Sequence, residues 1–441
     1  MRIHKIFYTI LFAIVLLFSC ASNASIKQVI RPGAYSPSST CKNCHERAYK
    51  QHFVSMHSRS YTNEAFQSQY FNEVVPLSMF DPDVQVEATK CLACHNPIAY
   101  LSQAQPILSK EQGELSANNI TCDFCHTIVS FKGKAPGGAN YIVEPGEIKY
   151  GPHRTETQWH HRYNPLFRSS QFCGICHNGS NHHGVITKST YTEWEESPYA
   201  KKRIQCQDCH MNVIGFIEDD NPIFESGQAA SIMMAKTPHR KNLHTHTFPG
   251  SSSTQQIIGS IKLKIYPNKT SARPGENVDV TVFVDNRRTG HKMPTGHTEW
   301  RVMWLELAIN DGERTTNLRA VSQAKNGPEY DVAGQSKWDT EILGNDIPSG
   351  SRIYRQIFLD NTGKQTPSSY IATKMDFDNR LEAAEMRKEK YLFTIPETRG
   401  PVYILATLNY LIYPDEVAER LGIARAEKIV MATATKEIKI E

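Results

Sequence analysis

The chain has no long apolar run beyond its N-terminus, and that absence excludes a polytopic membrane protein. Its formal net charge is only +4 over 441 residues, so the basic excess of a dedicated nucleic-acid binder is missing too. After Cys209 there is no cysteine, and apart from Cys20 no cysteine falls outside one repeated frame. At this length a single hydrophobic core rarely suffices, which predicts two domains.

The one apolar run, Ile6 to Phe18, follows Arg2 and Lys5 and is too short and too early for a typical membrane span. It reads as an export signal covering residues 1–24. Its end, Leu17-Phe18-Ser19-Cys20, resembles a bacterial lipobox, in which Cys20 would be lipidated and anchor the protein to a membrane. Cleavage near Ala21-Ser22-Asn23-Ala24 is the alternative, and it discards Cys20. Both predict an exported protein, periplasmic or held at the outer membrane or cell surface.

What the chain does have is histidine beside cysteine. Five frames share the pattern C-x-x-C-H: Cys41, Cys44 and His45; Cys91, Cys94 and His95; Cys122, Cys125 and His126; Cys173, Cys176 and His177; Cys206, Cys209 and His210. This is the attachment frame of c-type haem: two thiols form thioethers with the porphyrin, and the adjacent His becomes the proximal ligand of the iron. Zinc sites built from C-x-x-C come in pairs and need no His after each second Cys. Disulfides explain neither the spacing nor the His. The expected cofactor is therefore five covalent haems c, which also suits an exported chain.

The frames begin at 41, 91, 122, 173 and 206, so long and short steps alternate. The second and fourth run into Asn96 and Asn178, and the third and fifth are entered by Ile120-Thr121 and Ile204-Gln205. This predicts related haem pairs at 91–126 and 173–210 with one leading haem before them. Residues 36–250 form the expected haem domain, of short helices and loops, because Gly, Pro, Asn and Ser interrupt each periodic stretch. Few residues per haem implies close packing of the cofactors, the arrangement of a conductor.

A second axial ligand must come from the remaining histidines of the exported chain: His52, His57, His153, His160, His161, His182, His183, His239, His244, His246, His291 and His297. The expected distal set is His57, His153, His161 (from the His160-His161 pair), His246 and His291, with His182-His183 as solvated loop residues. Met56 and Met293 are alternative ligands or, more simply, packing residues. Five closed irons would make an electron carrier, which the histidine surplus favours. One five-coordinate iron would make a multihaem oxidoreductase of a small nitrogen or sulfur compound. A conductive, structural subunit of a cell-surface assembly is a third reading. No catalytic residue is assigned.

From Ser251 onward strand patterns take over, and residues 255–441 form the second expected domain. Ile261–Ile265 alternates, Val278, Val280, Val282 and Val284 line one face, and further strands are expected at Arg301–Ile309, Ile353–Leu359, Tyr391–Ile395, Val402–Tyr410 and Lys428–Ala434. Seven short strands predict an immunoglobulin-like β-sandwich, and Pro414 to Gly422 a short capped helix. The fold class expected is thus α+β multidomain: a mostly helix and loop multihaem cytochrome c domain, then a β-sandwich. The loop Gly290-His291-Lys292-Met293-Pro294-Thr295-Gly296-His297 has three readings: His291 returned to a haem, copper held by His291, Met293 and His297, or a structural turn.

The run from Cys41 through Ser55-Met56-His57 resembles the start of the cytochrome c-554/c-prime-like multihaem family. Cys206 to Met211, the Gly290–Gly296 loop, Asp378-Asn379-Arg380-Leu381 and Tyr391-Leu392-Phe393 are similar to bacterial multihaem cytochromes with a C-terminal sandwich. The resemblance implies bis-His haems in stacked pairs, electron transfer in the periplasm or at the cell surface, and redox partners: a quinol-side donor, and a terminal reductase or external acceptor. The best-known member carries four haems, so its ligands do not map one to one onto five. Members also resemble hydroxylamine-oxidising and nitrite-reducing enzymes, but the C-x-x-C-K frame of the ammonia-forming nitrite reductases is absent here.

Overall fold

The structure, a computed structural model, describes residues 30–102, 107–115, 119–154, 160–217, 221–231, 237–321, 332–335 and 347–441. The export signal and Cys20 lie outside the described residues. Among the described residues no helix is long and apolar enough to cross a membrane.

The N-terminal half is built of short helices, because each is stopped within a few turns by Pro, Gly or a cysteine frame. Helix α1 (Glu46–Phe53) leaves the first frame, and the longer α2 (Pro82–His95) ends on the second. Asp81 caps α2 by accepting from the amides of Asp83 and Val84, and Pro82 occupies the first turn, where its missing N–H costs nothing. The inner face of α2, Val84, Ala88 and Leu92, packs on Tyr61, Tyr70 and Val74. The later frames sit on one-turn helices: α3 (Cys122–His126), Ser170–Gly174, and α5 (Cys206–His210), with α4 (Thr190–Glu195) between the last two. Side chains on Thr121 and Ser169 cap two of these turns.

This half is not only helix and loop. Ile128–Phe131 pairs with Tyr141–Val143, Lys149–Gly151 with His161–Tyr163, Gly179–Ser180 with Ile186–Lys188, and Glu225–Gln228 with His239–Leu243. These ribbons are too short to show as alternation in sequence.

The C-terminal half is two facing sheets. One holds β1 (Lys262–Pro267), β2 (Asn277–Asp285) and β5 (Met386–Thr394), with β2 in the middle and both neighbours antiparallel. The other is centred on β3 (Val302–Asn310), β6 (Val402–Leu411) and β7 (Ile429–Ile440), in the order β7-β6-β3, extended by Ser271–Ala272 and Thr315–Leu318; β4 (Arg352–Tyr354) also pairs with β3. The alternation of Val278, Val280, Val282 and Val284 puts all four inside against Leu305, Leu307, Ile404 and Leu408 of the opposite sheet. Fully burying each such side chain stabilises the fold by about 1.5–3 kcal/mol.

One expected strand divides: β4 ends at Tyr354, and after the buried Arg355 the chain joins a separate sheet through Gln356–Leu359, beside Lys374–Asp378. Helix α6 (Asp415–Leu421) ends as its sequence predicts, on Gly422 in the left-handed region at φ 66°.

The two halves are joined by buried polar contacts. Asn181 donates to the carbonyls of Ser369 and Ala372, Arg420 pairs with Glu73 at 3.2 Å, and Tyr370 packs beneath α2. Most central is Arg380, whose Nη1 donates to Glu193 Oε1 of α4 at 2.7 Å while its Nε donates to Asp378 Oδ1 at 2.9 Å.

Candidate haem-binding site

In each frame the chain makes a tight turn, so the two thiols, three residues apart, share a face and the His follows directly below the first of them. His45 N donates to Cys41 O at 2.8 Å and His177 N to Cys173 O at 2.9 Å, closing such turns.

The frames themselves are clustered. The Cys41 thiol meets Cys122, Cys173 meets Cys206, and Cys94 meets Cys176, each within hydrogen-bonding reach. The first two contacts are built alike. Ser38 Oγ accepts from Cys122 N at 3.1 Å, and Ser170 Oγ, equally placed before its own frame, accepts from Cys206 N at 2.9 Å. The third frame therefore partners the first, not the second as the spacing predicts; the fourth and fifth do pair. Steps along the chain mislead because helices α1 and α2 are inserted between partners.

Every frame histidine faces a second imidazole across a gap. The ring centres are 6.1 Å apart for His45 and His160, 6.2 Å for His177 and His57, 6.4 Å for His95 and His297, 6.4 Å for His126 and His246, and 6.2 Å for His210 and His291. Metal–imidazole bonds of roughly 2 Å on opposite sides of one ion place the ring centres roughly 6 Å apart, so these five gaps each fit a single iron. The frame residues and these five partners thus suit haem: the thiols for the covalent link, and two neutral imidazoles for the axial positions.

Hydrogen bonds turn the rings correctly. Nδ1 meets a main-chain carbonyl in His45 (Ala229, 2.9 Å), His95 (Ser60, 2.7 Å), His126 (Tyr150, 2.6 Å), His210 (Pro249, 2.7 Å) and His291 (Lys292, 2.8 Å). An Nδ1 that donates leaves the Nε2 lone pair as the ligand. Burial favours the neutral form of four of these imidazoles: it pushes His57, His95 and His246 down to about 3 and His210 to about 4.

Three of the expected distal residues, His57, His246 and His291, stand opposite frame histidines. His153 and His161 do not. They face each other at 6.4 Å, and His161 Nε2 bonds the His153 carbonyl at 2.6 Å. The strand His161–Tyr163 is the reason: successive side chains point to opposite sides, so His160 turns toward His45 while His161 turns toward Gly151. His297, with the fifth gap, lies in the loop already singled out. That loop turns its three candidate copper ligands to different neighbours: His291 faces His210, His297 faces His95, and Met293 is buried in the sheet core. His52 bonds the Ile120 carbonyl, and His182 lies 3.6 Å from Glu87.

The 290–297 loop is held from both halves. Thr295 donates to Glu193 Oε2 and meets Thr190, Arg380 donates to the Pro294 carbonyl at 3.2 Å, and Lys292 bridges Asp378 and Glu382.

Residues 40–127 match the family model described as cytochrome c554 and c-prime. No curated protein sequence matches the chain. Among solved structures, the penta-heme cytochrome c552 of Thermochromatium tepidum aligns over 92% of this chain and 99% of its own, with a TM-score of 0.59 at 19% identity. The sporulation control protein Spo0M of Bacillus subtilis and the human F-spondin reeler domain each align over 42% of this chain, at TM-scores of 0.16 and 0.19 and identities of 13% and 9%, too distant to type the sheet domain. The match of residues 40–127 to that family model and the fold shared with the penta-heme cytochrome c552 both support a multihaem c-type cytochrome.

Proposed function

We propose that the chain is a five-haem electron carrier in which every iron is closed by two histidines: His45 with His160, His95 with His297, His126 with His246, His177 with His57, and His210 with His291. The observation that carries this reading is the set of five imidazole gaps, all between 6.1 and 6.4 Å. The count of five also agrees with the name of the similarly folded penta-heme cytochrome. When bound, the haems supply one-electron oxidation and reduction.

The protein's own part is to fix, insulate and connect. The paired imidazoles would hold each iron between them and leave no position for a substrate. The thiol contacts 41–122, 173–206 and 94–176, with Cys125 near Cys173, link the five frames into one continuous group instead of isolated reaction centres. The facing sheets, which we read as an immunoglobulin-like sandwich, contribute two of the ten ligands. Since haem c is attached outside the cytoplasmic membrane, and the chain opens with an export-type segment, we place it in the periplasm or at the cell surface. A quinol-side donor, and a terminal reductase or external acceptor, would be its partners. Lipidation of Cys20 would tie it to a membrane.

Electron paramagnetic resonance of the oxidised holoprotein tests the closed irons. The expected spectrum is low-spin ferric throughout, with five haems per chain by pyridine haemochrome assay. A high-spin signal amounting to one haem would overturn the carrier reading in favour of an oxidoreductase. Mass spectrometry of the mature N-terminus separates a lipidated Cys20 from a start near Ser25.

A further inference from the structure

The five gaps are not chemically alike. Around His45, His95, His126, His210 and His291 the acceptor for Nδ1 is a neutral main-chain carbonyl. For His297 it is the carboxylate of Glu299, 3.3 Å away on a side chain only 1% exposed. Trp300 stacks on the His297 ring at 5.5 Å and 22°, and its own Nε1 is anchored to the Pro367 carbonyl at 2.7 Å. The chain between His297 and β3 is therefore built so that one axial ligand of one iron shares its proton with a buried anion.

A carboxylate acceptor draws the Nδ1 proton more strongly than a carbonyl does and makes the imidazole a stronger electron donor through Nε2. Stronger donation stabilises the ferric over the ferrous state and lowers the potential. Lys188 lies near Glu299 and the Cys91 and Cys94 thiols, and offsets part of this charge, but only through space. The carboxylate acts through the ligand itself.

We propose that Glu299 is a tuning residue that sets the His95–His297 iron apart from the other four, making it the most strongly reducing site in the protein. This rests on the ligand assignment given above. The site lies at one margin of the thiol network, joined to it through Cys94 and Cys176, so electrons would fall from it toward the remaining four.

The test is a spectroelectrochemical titration of purified holoprotein as wild type, Glu299→Gln, Glu299→Asp and His297→Ala, each with its haem count. Glu299→Gln is expected to raise one midpoint, the lowest, changing that site's reduced-to-oxidised ratio at fixed potential about tenfold, or about 59 mV for one electron. Glu299→Asp, which keeps the charge, is expected to stay near wild type, and His297→Ala to yield one high-spin haem. If Glu299→Gln moves no midpoint, or Glu299→Asp moves it equally, the proposal fails while a high-spin His297→Ala leaves the ligand assignment standing. If His297→Ala stays entirely low-spin, the assignment itself falls and takes the proposal with it.

Discussion

The ring of His291, from the C-terminal half, lies 6.2 Å from that of His210, from the N-terminal half, and within 15° of parallel to it. Two imidazoles from different halves of the chain are thus presented to one point in space. The neighbouring His297 does the same for His95.

Adjacent histidines make a sharp contrast. On the proposed ligand set, His160→Ala is expected to convert one haem to high-spin and to let it bind carbon monoxide. His161→Ala and His153→Ala are expected to leave every haem low-spin, since those two side chains contact each other and the local backbone. Magnetic circular dichroism of the three variants checks this. A low-spin His160→Ala protein would remove His160 from the ligand set.

Arg380 joins the domains through Glu193, and both side chains are almost wholly out of solvent. Arg380→Met leaves the Glu193 charge buried without its partner and is expected to cost about 3–5 kcal/mol, whereas Arg380→Met with Glu193→Gln recovers much of it. Guanidinium unfolding followed at the Soret band measures both.

Asp378 gives the interface an acid limit. Burial pushes its carboxyl upward, but the hydrogen bonds and charge of Arg380, with Lys292 beside it, hold it below its ordinary value. A folded value below the unfolded one means that the unfolded chain binds the extra proton first. The contribution is therefore complete above about pH 5 and is lost as the pH falls through about 4 and below. Asp378→Asn is expected to be less stable than wild type at pH 7, with a flatter decline between pH 5 and 3, in denaturant titrations repeated across that range.

In the sheet core Leu408 is fully buried between the two layers. Leu408→Ala is expected to destabilise the protein by about 2–5 kcal/mol while leaving the haem spectra of the folded state unchanged, because it opens a cavity in the sheet core and removes no imidazole. Thermal unfolding and room-temperature absorption separate the two effects.

Much of this protein is legible before folding. The C-x-x-C-H frames are local chemistry, and the strands carry alternation strong enough to place Val278 to Val284 inside. His57 could be found because it follows a frame on a short helix. Of the adjacent His160 and His161, only the local fold decides which ring turns toward a frame histidine and which toward Gly151. The partnership of Cys41 with Cys122, the division of a strand at Arg355, and the Glu193–Arg380 pair join residues far apart in sequence, where spacing has no bearing. Glu299 could have been suspected, two residues beyond a loop His, but its meaning depends on burial that only the fold supplies.

The loop bearing His291 and His297 makes sealing a two-site event. If both are ligands, a chain that ended near Gly250 would retain all five attachment frames yet leave two irons each one ligand short. Such a protein would take up carbon monoxide or cyanide and react with oxygen or peroxide. On that condition, one loop alone would separate a ligand-accepting cytochrome from a closed one.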